Sequence, residues 1–83
     1  MHSDTYQHLI SLCDALASHT NVSHWRVAFR VRGDGQFFSR LRKGGGCTAK
    51  TAARTLQWFS DHWPTDLEWP RDIPRPPKSE EAA

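Results

Sequence analysis

His24-Trp25-Arg26-Val27-Ala28-Phe29-Arg30-Val31-Arg32, followed by Gly33-Asp34-Gly35, is the stretch whose conformation decides the fold. As a strand it alternates without a break, with Trp25, Val27, Phe29 and Val31 on one face and His24, Arg26, Ala28, Arg30 and Arg32 on the other. Asp-Gly would then close a hairpin, and the β-branched and aromatic content agrees. As a helix, the apolar residues cover a wide arc while Arg26 and Arg30 share the opposite side, which suits a short helix wedged between others. The residues beyond the turn arbitrate. A hairpin needs its alternation to resume after Gly35, and Phe37-Phe38 breaks it. Wound at roughly 100° per residue, the same residues sort cleanly: Phe37, Phe38 and Leu41 on one side, Gln36, Ser39, Arg40 and Lys43 on the other. Ser23 is a good N-cap, and Val22 before it can staple to Val27. The expectation is two helices joined by a tight turn, the second over residues 35–43, with a strand over 24–32 as the alternative.

Outward from this pair, the chain continues in helical code. From Asp4 to Ser18, Tyr6, Leu9, Ile10, Cys13, Leu16 and Ala17 recur at the spacing of one helical face, and Asp4 and Gln7 stand in capping-box positions. His19, Thr20 and Asn21 break that pattern. Asp34 can cap the second helix of the central pair and Gly44 can end it. Beyond Gly44-Gly45-Gly46, Thr48 can cap a last helix from Ala49 to Trp63, with Ala52, Leu56, Phe59 and Trp63 along one side and Pro64 as its stop. All five prolines lie from Pro64 onward. Trp69 and Ile73 can tack that segment back across the domain as an extended strap; Pro74-Arg75-Pro76-Pro77 favours polyproline conformation, and Lys78 to Ala83 has the composition of a disordered end. The expected architecture is all-α: a small domain of about four helices over residues 1–63 and an extended Pro-rich tail over 64–83. Trp58, off the apolar stripe, joins Trp63 and Trp69 as residues expected to pack against the tail or a second subunit.

The formal charge is only +2, but it is unevenly spread. Ser23 to Arg54 carries eight Lys/Arg against the single Asp34, while the rest of the chain has three basic and eight acidic residues. A basic centre with acidic flanks suits a polyanionic partner. Cys13 and Cys47, 34 residues apart, read as free thiols of a reducing compartment. No His or Cys spacing matches a tetrahedral zinc site, so neither metal nor cofactor is expected. Paired carboxylates, a nucleophile elbow and a phosphate-binding loop are missing as motifs, since Gly44-Gly45-Gly46 is not followed by Lys-Ser/Thr. An enzyme is therefore the least supported class. His2, Ser3 and Asp4 stand where a secretory signal would have positive charge, and no run approaches the ~18 apolar residues of a membrane span, so a cytoplasmic location is expected.

Gln, Ser, Arg and Lys are side chains that hydrogen-bond base edges or phosphates, and a short helix presenting them has the form of a DNA-recognition helix. The run from Val27 to Gly44 resembles the second and third helices of lambda-repressor-like helix-turn-helix domains. More narrowly, Gly33, Asp34, Phe37, Leu41, Gly44, Thr48, Trp58 and Phe59 are similar to a pattern in small bacterial and prophage proteins. It departs from the commoner pattern in placing Gly33 one position late after Ala28. The resemblance implies a double-stranded-DNA-binding regulator of bacterial or phage transcription, and because one domain of this size reads only a half-site of a few base pairs, a homodimer is expected, at least on DNA. Gln36, Ser39 and Arg40 are the candidate base readers. Ser23, Arg26, Arg30, Arg32, Arg42, Lys43, Thr48 and Lys50 are the candidate phosphate contacts. Two other readings stand beside it: a protein-interaction module, such as a phage or plasmid inhibitor, antitoxin or adaptor, using the Trp-rich helix end and the proline tail, and a sheet that reads nucleic acid if 24–32 is a strand.

Overall fold

The computed structural model describes residues 4–78, the side chain of Asp4 excepted. Four helices follow one another: α1 (Asp4–Thr20), α2 (His24–Arg32), α3 (Phe37–Arg42) and α4 (Ala49–His62). Among the described residues there is no strand, so the alternation in 24–32 is incidental. Two local devices make α2 a helix. The Ser23 hydroxyl accepts the Arg26 N–H at 3.1 Å, and Gly33, at φ 73°, closes the other end by donating its N–H to the Phe29 carbonyl at 2.7 Å. Between them α2 buries Val27 and Ala28.

α1 runs two residues further than its apolar pattern. The Thr20 hydroxyl donates to the Leu16 carbonyl, Asn21 takes φ 58°, and the Val22 N–H reaches back to the Ala17 carbonyl, a left-handed closure that a short polar side chain tolerates. The side-chain capping expected at Asp4 lies outside the described residues. α3 is shorter than the expected 35–43. The Asp34 carboxylate takes the Gln36 N–H at 3.0 Å, which holds Gly35 and Gln36 in the turn, and the regular helix covers only Phe37–Arg42. Gly44, at φ 98°, ends it, with the Gly45 N–H on the Arg40 carbonyl at 2.7 Å. Thr48 caps α4 as expected, its hydroxyl accepting the Thr51 N–H at 3.1 Å.

α2 and α3 pack on each other and both pack on α1; α4 closes the core against α1 and α2. Leu9, Leu12, Cys13, Phe38 and Phe59 are fully buried at its centre. The expected stripe of α4 faces the core, with Ala52, Phe59 and Trp63 buried and Leu56 partly so, and it widens to Thr55 and Ser60, which are fully buried. These hydroxyls can go inside because each donates to a carbonyl, Thr55 to that of Thr51 and Ser60 to that of Pro76.

The segment after Pro64 is a docked strap. Trp63, 4% exposed, and Ile73, 3% exposed, belong to the core. The indole N–H of Trp63 donates to the Leu67 carbonyl at 2.8 Å and that of Trp69 to the Ile73 carbonyl at 2.7 Å, and the two rings meet edge to face with centroids 5.0 Å apart. Arg75 lies over Trp69, its guanidinium carbon 4.9 Å from the ring centroid, and donates to the Ser60 carbonyl at 2.8 Å. Gln57 donates to the Pro77 carbonyl. Of the end expected to be disordered, residues 79–83 lie outside the described residues.

Candidate nucleic-acid interface

α3 divides its residues as its sequence divides them. Phe37, Phe38 and Leu41 are buried, and Phe38 meets Phe59 of α4 with ring centroids 5.9 Å apart; Gln36, Ser39, Arg40 and Lys43 are exposed. Six residues would not hold a helix in water alone, so this polar face is kept in place by the aromatic face behind it.

Its charges are partly paired. The Arg40 guanidinium donates to the Asp34 carboxylate at 2.6 Å, and that bond, with the Gln36 N–H, holds the Asp34 carboxyl below its ordinary pKa. Arg42 turns to the side of α3 and pairs with Asp14 of α1, whose same oxygen lies 2.9 Å from His24 Nε2. One carboxylate thereby ties the start of α2 and the end of α3 to α1. Arg32 lies over the Phe37 ring at 5.8 Å. Among the described residues no carboxylate comes within 4 Å of Arg26, Arg30, Arg32, Lys43, Lys50 or Arg54.

The phosphate candidates fall into groups. Arg32, Arg40, Thr48 and Asp34 line one shallow recess of about 330 Å³ between α3 and the start of α4. Arg30, two residues from Arg32 and so on the far flank of α2, borders a separate, more apolar recess of about 460 Å³ with Val22, Trp58 and His62. Arg26 and Lys50 are exposed elsewhere on α2 and at the first turn of α4. The hydroxyls of Ser23 and Thr48 are already used as caps.

The three tryptophans singled out from the sequence pack within the chain. Trp63 is in the core, Trp69 is half-buried under Arg75, and Trp58 is half-buried and stacks on His62 with centroids 4.3 Å apart. The large apolar side chains left exposed among the described residues are on α2: Trp25, 55% exposed, and Phe29, 53% exposed, stacked with centroids 5.3 Å apart and planes 6° apart. Sequence reasoning counted both in the wide apolar arc of α2. The missing signal was length, because a nine-residue helix packed along one side has room to bury only the residues around Val27 and Ala28. Arg54, exposed on α4, was also passed over.

Of the cysteines, Cys47 lines the recess beside Arg32, Arg40 and Thr48, and Cys13 lies in the core. Cys13 is buried, and loss of hydration pushes its thiol up to about 12; Cys47, partly buried, is also raised, mainly by burial. The Tyr6 hydroxyl donates to the Cys47 carbonyl at 2.7 Å and accepts its N–H at 3.0 Å, which pins the glycine loop to α1. Among the described residues no three His, Cys, Asp or Glu side chains gather in a metal-binding group, and no helix is long and apolar enough to cross a membrane. Fold and surface together define a four-helix all-α domain with a polar, basic face on its third helix. Comparison with models of known protein families, with curated proteins and with solved structures finds no match to this chain.

Proposed function

We propose that this domain binds double-stranded DNA by laying the exposed face of α3 in the major groove, and that it acts in this way as a cytoplasmic transcriptional regulator of bacterial or prophage type. The observation that carries the reading is the exposure of Gln36, Ser39, Arg40 and Lys43 on one face whose back is anchored by Phe37, Phe38 and Leu41. Arg40 would take guanine through two N–H donors and Gln36 would take adenine, with Ser39 between them. The Asp34 carboxylate holds the Arg40 side chain along the helix before DNA arrives, so less rotamer freedom is lost on binding. Lys43, Arg26, Arg30, Arg32 and Lys50 would set the register through phosphates, with Arg42 held nearby by Asp14. Ser23 and Thr48 would act through the backbone N–H groups at the helix starts they cap. A half-site read by one short helix is only a few base pairs, so a second copy on a pseudo-palindrome belongs to the same proposal.

The competing reading, a partner held by Trp58, Trp63, Trp69 and the proline tail, is disfavoured because Trp63, Trp69 and the proline segment already bind one another and α4, while Trp58 stacks on His62 of its own helix. The test is selection of duplexes from a random pool, followed by affinity measurements on the selected site. Arg40→Ala should cost about 1–3 kcal/mol there and blunt preference at one base pair, while Lys43→Ala should weaken all duplexes alike. Equal affinity of Arg40→Ala and the parent for every duplex refutes the base-reading role.

A further inference from the structure

Trp25 and Phe29 form a stacked, half-exposed aromatic pair on α2, and nothing in the proposed reading of DNA uses it. The pair is seated: a Cβ built on Gly35 would stand 2.0 Å from Trp25 Nε1, so the indole lies directly on the glycine backbone. Only the residue without a side chain permits that approach. Around the wheel of α2, Arg32 and Arg26 border the pair on its two sides, and the helix contains no acidic residue. The neighbouring carboxylates are spent, Asp34 on Arg40 and Asp14 on Arg42 and His24. The surface is thus an apolar platform bordered by two arginines that no described carboxylate pairs, Arg32 lying over the Phe37 ring.

We propose that the Trp25–Phe29 platform, with Arg26 and Arg32 at its borders, docks an acidic segment of another protein that carries apolar side chains on one face. Exposed Trp beside Arg is the composition of an interface anchor, and the absence of acid on α2 calls for carboxylates opposite. A duplex fits the charge but not the rings, since its outward surface is phosphate and sugar with the base faces stacked inside. A second copy pairing symmetrically through this face would set Arg26 and Arg32 against their own equivalents, with no acid between them. The rings are not used in DNA reading by α3, whereas Arg26 and Arg32 are shared with the phosphate contacts proposed for it, so an acidic segment and a duplex would compete for them.

The test uses fluorescence anisotropy with three labelled probes: a synthetic amphipathic peptide with Asp and Glu opposite Leu and Phe, the same peptide with every acid replaced by Lys, and a duplex. The full chain, the double variant Trp25→Ser/Phe29→Ser and the variant Gly35→Ala are compared. The substituted rings are more than half exposed, and circular dichroism checks that the double variant stays helical. Gly35→Ala keeps both rings but pushes Trp25 off its seat, and so reaches the platform by a second route. The expected result is binding of the acidic peptide and not of its Lys counterpart, about tenfold weaker in either variant, with duplex affinity unchanged in the double variant. The proposal is overturned if the two peptides bind alike, or if both variants hold the acidic peptide as the parent does. It is equally overturned if the double variant loses duplex binding, which assigns the platform to nucleic acid, or dissolves a dimer seen by sedimentation, which assigns it to a second copy.

Discussion

Ile73→Ala tests whether the segment after Pro64 belongs to the fold. Ile73 sits among the prolines, where the sequence reading expects it to tack an extended segment back across the domain, and it is 3% exposed and joins the same core as Phe59 and Trp63. Truncating a buried isoleucine to alanine removes its transfer free energy and leaves a partly unfilled cavity, together about 2–5 kcal/mol. A site on a strap can relax towards the gap more easily than one between helices, so a value near 3 kcal/mol is expected. A domain of this length has a total stability of about 4–12 kcal/mol, so the loss is a large share of it. Each kcal/mol moves the midpoint of a domain this small by about 4–8 °C, which places the Tm of the variant about 12–24 °C below that of the parent. Arg75→Ala, which removes the donor to Ser60 and the cation over Trp69, should move it in the same direction by a smaller step. Thermal and urea unfolding followed by circular dichroism measure both. An undocked tail predicts surface-like changes within about 0.5 kcal/mol, and a Tm for Ile73→Ala within a degree or two of the parent would refute the docked strap.

Because Arg40 holds the Asp34 carboxyl below its ordinary pKa, the pair contributes stability above the unfolded-state value and loses it as pH falls through the depressed folded-state value. Carbon NMR titration should find the Asp34 midpoint low in the parent and raised in Arg40→Ala; an identical midpoint in both refutes the pairing. On the DNA reading, Asp34→Asn should steepen the salt dependence of duplex binding by about one ion, so that an unchanged slope counts against a role for this pair at the interface. Alkylation at mildly alkaline pH, followed by peptide mass mapping, should label Cys47 slowly and Cys13 only on unfolding, given its burial and a pKa of about 12; equal rates for the two thiols contradict the described core.

Helix caps and faces were legible because they depend on neighbours in the chain. Ser23 and Thr48 cap the helices they were expected to cap, Gly44 ends α3, and Phe37, Phe38 and Leu41 turn inward while Gln36, Ser39, Arg40 and Lys43 turn out. The boundaries of α3 were less legible, since a side-chain bond from Asp34 to the Gln36 N–H competes with the first helical turn and nothing in the periodicity announces it.

What the sequence determined by itself is the order of four helices, the all-α class and the two-sided character of α3, all written in spacings of three and four residues and in single capping side chains. Only the tertiary structure decided which apolar residues are surplus. Whether Trp25 and Phe29 or Trp63 and Ile73 fill the core depends on which flank of each helix another helix happens to cover. It is the strap, arriving from some ten residues past the end of α4, that closes over Trp63, while among the described residues no segment covers the Trp25–Phe29 flank of α2. Long-range pairings such as Asp14 with Arg42 and Ser60 with Arg75 follow from that closure, because they join residues that no local periodicity relates.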